Sequence, residues 1–245
     1  MSWKKRLLLY VVLPAVVCLA LVGAYFSGLP WLQSIIAPSI PGVSTGASRE
    51  IGLLENVENA CLLGIIFVAA CGVWRKKLAL ERVGFVFLLV FSIWVFLEEV
   101  DYGWNWREVL FGQQPTSFRN IHNVGDTTQM IKSVVDLSLV LLFAVAPVAA
   151  RWIRWPLFRY AAPSAYSILT LVVMVLVRSL AHGFESRGYG HGGALTNNVS
   201  EFRELVVYYV FLLYMAEIVF LRSPLRRAGL DAAWYRLTFD EPASA

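Results

Sequence analysis

Six apolar stretches, at 7–26, 53–74, 83–99, 130–150, 164–181 and 204–221, each come near the length that carries a helix across a bilayer, about 20 residues. That is more apolar surface than one soluble core can bury. Hydrophobic residues make up 58% of the 245 and charged residues 16%, against roughly 45–50% and about 25% in water-soluble domains. A soluble enzyme is excluded, and lipid is the expected solvent. In hydrocarbon each segment must satisfy its own backbone, and no ten-residue alternation suggests a membrane barrel. The expected fold is therefore all-α: a polytopic six-transmembrane-helix bundle over 1–221, followed by a cytoplasmic tail over 222–245.

The first apolar run, behind Lys4, Lys5 and Arg6, exceeds the 7–15 residues of a signal-peptide core, so it reads as an uncleaved span. Cys18, Cys61 and Cys71 all lie in apolar runs, where cysteine serves as a small hydrophobe, and no disulfide is expected. Net charge is +4, yet the basic residues form short clusters between apolar runs and do not suggest a nucleic-acid partner. Counted over alternate loops, fourteen of the twenty-one Lys and Arg fall on the side of both termini. The positive-inside rule makes that side cytoplasmic, and a multi-pass protein of the bacterial inner membrane is expected.

Acids and histidines gather on the other side. Twelve of the seventeen Asp and Glu lie there, together with His122, His182 and His191. Glu55, Glu58 and Asn59 open the second span at spacings that share one helical face, although acids in a first turn also simply suit the helix dipole. Glu98, Glu99 and Asp101 close the third span, where the dipole prefers cations. Adjacent residues point about 100° apart on a helix, so one of Glu98 and Glu99 is expected to face a common site. His122, Asp126, Gln129, Ser133 and Asp136 form a polar stripe leading into the fourth span. For Asp136 the structural alternative is a buried pair with Arg178. Arg178, His182 and Glu185 share a face of the fifth span, and Glu201, Glu204 and Tyr208 open the sixth. Glu217, near the cytoplasmic end, is expected to reach toward Arg222.

Carboxylates and imidazoles from several helices at one depth are the ligand types for a divalent metal: zinc, manganese or non-haem iron. The ligand candidates are Glu98, His122, Asp126 and His182. Glu58 or Glu204 would act as general base and Arg178 as a clamp for an anionic group. Trp31, Ile35 and Ile36 in 27–50, and Trp104 and Trp106 in 102–121, suit segments lying at headgroup level. The glycine-rich run at 188–193 has neither the strand nor the Gly-Lys-Ser/Thr ending of a phosphate cradle.

The stretch from Phe96 to Asn123 has paired glutamates ending a span, an aromatic turn, then Asn-Ile-His-Asn. It resembles a pattern of uncharacterised bacterial polytopic membrane proteins, a likeness that covers about thirty residues and implies no activity. The placement of His and Asp at helix ends is also similar to that in intramembrane hydrolases of the alkaline-ceramidase kind. Their paired helical histidines and seven spans have no counterpart here, so the likeness is an analogy.

The sequence thus leads first to a metal-dependent hydrolase or transferase acting on membrane lipid or a lipid-linked substrate from the periplasmic side. A proton-coupled transporter is one alternative. A non-catalytic subunit docking a periplasmic or membrane protein partner is another, since nine Trp and ten Tyr suit such contacts.

Overall fold

In the computed structural model, which describes residues 2–36, 52–103, 111, 127–189 and 201–222, the regular elements are all helical. They are α1 Trp3–Tyr25, α2 Pro30–Ile36, α3 Leu53–Arg75 and α4 Ala79–Glu99. A short turn at Asp101–Gly103 follows α4. Then come α5, running through Thr127–Val140, Leu141–Val145 and Ala146–Ala149, the short α6 Pro156–Ala161, α7 Tyr166–Glu185 and α8 Glu201–Leu221.

Five of these, α1, α3, α4, α7 and α8, are long and apolar enough to cross a membrane. The expected fourth span differs. Its apolar part is the shorter Ser133–Ala149, because polar residues fill the first turns of α5. Large side chains such as Phe67, Phe87, Val90 and Leu176 point outward, each more than half exposed. An apolar surface of that extent suits lipid and not water.

Two buried clusters hold the bundle. At one end Cys18, Leu21, Val22 and Tyr25 of α1 pack with Val173, Val177 and Ala181 of α7 and Phe202, Leu205 and Val206 of α8. At the other, Val68 and Ala69 of α3, Phe85 of α4 and Phe143 of α5 surround Val210, Tyr214 and Met215 of α8. α1, α3, α7 and α8 contribute to both clusters, and α8 is the most buried of the five long helices. The close approach of α3 to α4 depends on Gly72, since a Cβ there would fall 2.6 Å from Cγ of Phe85.

Prolines inside two helices explain part of the packing. Pro14 and Pro147 lack the N–H that would bond the carbonyls four residues earlier, those of Tyr10 and Phe143. Both helices widen into π-helical turns there, at Leu8–Val12 and Leu141–Val145. Hydroxyls of α7 fill both gaps: Thr170 Oγ1 donates to the Tyr10 carbonyl at 2.7 Å and Ser167 Oγ to the Phe143 carbonyl at 2.8 Å. Tyr209 of α8 donates to the neighbouring carbonyl of Leu9 at 2.9 Å. An apolar setting makes such replacement donors necessary.

Candidate functional site

Three helix ends bring carboxylates together at the end of the bundle where α3 and α8 begin and α4 finishes. Glu55 and Glu58 lie in the first two turns of α3, Glu99 is the last residue of α4 and Glu201 is the first of α8. One oxygen from each of the four lies within 4.8 Å of all the others. The N-terminal dipoles of α3 and α8 favour negative charge at Glu55, Glu58 and Glu201, whereas Glu99 sits at the unfavourable end of α4.

Glu58 is the innermost. Its exposure is 0%, and neither of its oxygens has a hydrogen-bond partner among the described residues. Tyr208, two turns into α8, donates from its hydroxyl to Oε2 of Glu99 at 3.0 Å and so orients one wall of the cluster. Glu204, one turn beyond Glu201, is half-buried and lies 3.6 Å from Nη2 of Arg203. Nη1 of the same guanidinium is 3.3 Å from Oδ2 of Asp136, so the partner of Asp136 is Arg203 and not Arg178.

Ionising four carboxylates at this spacing is expensive. Two unit charges 4.8 Å apart repel by about 3.5 kcal/mol at an effective dielectric of about 20, and four charges make six such pairs. The total, roughly 20 kcal/mol, exceeds the whole stability of an ordinary domain, about 5–15 kcal/mol. Protons or a cation must share the cluster. Opposite oxygens around a calcium or magnesium ion stand roughly 4–5 Å apart, twice the metal–oxygen distance, which is the span found here. The donors are all hard oxygens, a set that suits manganese, magnesium or calcium better than zinc or iron sites built on imidazole and thiolate.

Other residues with sequence-based expectations stand elsewhere. Glu98 is buried but turns away from the four and accepts a hydrogen bond from the Tyr102 hydroxyl. That bond raises the Tyr102 hydroxyl above its ordinary pKa. Tyr102 itself adopts a left-handed backbone, φ 54°, followed by Gly103 at φ 83°, a conformation disfavoured for a bulky residue. The tight turn this creates directs Tyr102 back onto Glu98. His182, with a side chain 74% exposed, pairs loosely with Glu185 at 3.5 Å, and Arg178 is exposed one turn earlier on the same helix. His122 and Asp126 lie outside the described residues.

Of the residues singled out from sequence for catalysis or metal binding, Glu58 lies inside the cluster and Glu204 beside it. Glu55, Glu99 and Glu201 complete it without having been singled out. The i, i+3 spacing of Glu55 and Glu58 and the 100° divergence of Glu98 from Glu99 were the available signals. Which of the adjacent pair turns inward depends on the neighbouring helices.

At the opposite end, charge is handled differently. Lys76, just past α3, donates to the Tyr160 hydroxyl and to the Ile218 carbonyl, both at 2.7 Å, and lies 3.8 Å from Oε1 of Glu81. Burial pushes its ammonium below the ordinary lysine pKa, with Glu81 opposing that shift and Arg75 and Arg222 adding to it. Arg222 reaches Glu217 at 3.6 Å and donates to the Tyr160 carbonyl.

No family model, curated protein or solved structure matches this chain.

Proposed function

We propose that this chain is a six-span protein of the bacterial inner membrane, both termini cytoplasmic, that holds a divalent cation among Glu55, Glu58, Glu99 and Glu201. The cation serves a hydrolase or transferase acting on a lipid or lipid-linked substrate at the outer leaflet. Glu58 carries the reading: a carboxylate withdrawn from solvent that, among the described residues, has no hydrogen-bond partner and stands in a group of other carboxylates. Such a group must be neutralised, by a proton or by a counter-charge, and in this reading a metal supplies the counter-charge.

Support for the six-span count comes from α5, whose helix continues from Thr127 through Ala149, about 34 Å at 1.5 Å per residue. Support for the orientation comes from the Lys and Arg excess around the termini and the connections after α3 and α5. A bound cation would polarise a carbonyl or phosphoryl oxygen and activate water at neutral pH. Within the chain, Tyr208 positions Glu99, and Glu204 stands one turn from the cluster as the proton acceptor. Arg178 and His182, on the exposed side of α7, take no ligand role in this reading.

Elemental analysis of detergent-purified, full-length protein tests it. About one equivalent of manganese, magnesium or calcium is expected, lost in Glu58→Gln and Glu201→Gln. Metal-free preparations whose melting temperature ignores added divalent ions would end the proposal.

The buried carboxyl of Glu58 also favours a second reading, proton-coupled transport. Flux in proteoliposomes that Glu58→Gln abolishes, in protein without bound metal, would put that reading first.

A further inference from the structure

Away from the carboxylates, where α1 begins and α8 ends, a cavity of about 510 Å³ opens beside α6. Three arginines from three separate elements line it: Arg6 of α1, Arg159 of α6 and Arg222 at the end of α8. Among the described residues of the wall Glu217 is the one acid and is engaged with Arg222 at 3.6 Å, so these residues carry a surplus of two positive charges. Arg6 lies over the Tyr166 ring, 5.9 Å from its centroid, and its Nε is shielded from solvent with no hydrogen-bond partner among the described residues. A buried guanidinium N–H with no acceptor is a donor awaiting one. The aromatic setting indicates the depth of the site. Trp3 precedes Arg6 by three residues, Trp152 and Trp155 precede α6, and all three are exposed, 62%, 73% and 41%. Exposed tryptophans around one end of an apolar bundle mark the level of lipid headgroups.

We infer that this cavity binds a phosphate group, carried by an anionic lipid headgroup. Guanidinium forks match the paired oxygens of phosphate, and three arginines in the wall exceed what Glu217, the one acid among its described residues, can neutralise. Basic pockets between helices on the positive side of a membrane protein take anionic headgroups for the same reason. The inference is independent of the cation at the other end, and its test involves no metal.

The test uses full-length protein in a neutral detergent. Its melting temperature is followed during titration with dihexanoyl-phosphatidylglycerol, dihexanoyl-phosphatidylcholine or inorganic phosphate. Phosphatidylglycerol is expected to raise the melting temperature saturably, and phosphatidylcholine to have no saturable effect. Arg6→Gln and Arg159→Gln should each weaken the phosphatidylglycerol response about fivefold, the loss of one headgroup-level cation. Arg159 is exposed and is the variant least able to disturb folding. Arg222 is left intact because it also holds the Tyr160 carbonyl. A saturable response to inorganic phosphate that matches the lipid and weakens in the same variants supports the phosphate site and assigns it to the free anion. Equal phosphatidylglycerol affinity in the wild type and both variants, or no saturable response to either phosphate source, overturns the inference.

Discussion

The two ends of the bundle bury charge in opposite ways. Around Lys76, buried charges lie beside opposite ones: the ammonium donates to the Tyr160 hydroxyl and the Ile218 carbonyl and stands 3.8 Å from Glu81, whose oxygens make no hydrogen bond among the described residues, and Glu217 pairs with Arg222. Around Glu58, like charges converge, and the most buried of them has no hydrogen bond among the described residues. The first arrangement is what structural pairing looks like. The second costs stability unless something joins it, which is the usual mark of a site that trades stability for binding. A polar group is therefore informative less for being buried than for being buried in like company.

The largest effect that could break this contrast is one of sign. Lys76→Met leaves Glu81 buried without its cation, and stability should fall by about 3–5 kcal/mol, the usual result of removing one partner of a buried pair. The double variant Lys76→Met/Glu81→Leu should recover most of that loss. Glu58→Gln, measured in EDTA, should leave the melting temperature unchanged or higher, because it removes a like charge and not a partner. A large destabilisation by Glu58→Gln in metal-free protein would erase the distinction between the two ends.

The lysine also sets a pH dependence. Its folded pKa lies below the ordinary 10.5, so the unfolded chain holds the proton to higher pH. Stability relative to Lys76→Met should therefore rise with pH between the lowered value and 10.5, and be flat below it, where both states are protonated. Paired thermal melts of the two proteins across that window give the slope directly. A falling difference would mean that pairing with Glu81 outweighs desolvation.

Of intermediate size are the hydroxyls that replace proline's missing donors. Thr170→Val keeps shape but leaves the Tyr10 carbonyl of α1 unsatisfied, and Ser167→Ala does the same to Phe143 of α5. Each should cost about 1–3 kcal/mol in chemical denaturation, the price of an orphaned buried acceptor. Removing Pro14 as well, as Pro14→Ala/Thr170→Val, should restore much of the loss by returning the backbone N–H. Failure of that rescue would mean that α7 holds α1 by apolar packing alone.

These cases also separate what local sequence carries from what it does not. The helices were legible because long apolar runs leave the backbone no other way to satisfy itself, and the five long ones appear within a few residues of the expected bounds. Helix ends proved harder. α5 begins in polar residues, so its apolar length fell short of expectation, and the extra turn of α4, from Ala79, carries Glu81, whose partner Lys76 lies in the preceding connection. At the site, spacing put Glu55 beside Glu58 and set Glu98 apart from Glu99. It could not say which of the latter pair turns inward, because Tyr102 captures one and Tyr208 the other. Tyr208 is 109 residues from Glu99, and no local pattern carries that contact. The proline-to-hydroxyl bonds are of the same kind: Pro14 was visible, but its remedy lies on α7.

The smallest expected effect sharpens the comparison at the carboxylate end itself. His182 offers the imidazole that a zinc or iron site would want, but it stands mostly in the open, and its contact with Glu185 is a surface pair of the kind that contributes little. If the four carboxylates alone hold the cation, His182→Ala and Arg178→Ala should each change stability by no more than about 0.5 kcal/mol, the range of ordinary exposed substitutions. Neither should lower the metal content of the purified protein. Loss of metal in His182→Ala, with Glu58→Gln retaining it, would move the centre from the inner carboxylates to the exposed face of α7. The donor set would then include nitrogen, and zinc would displace manganese as the expected ion.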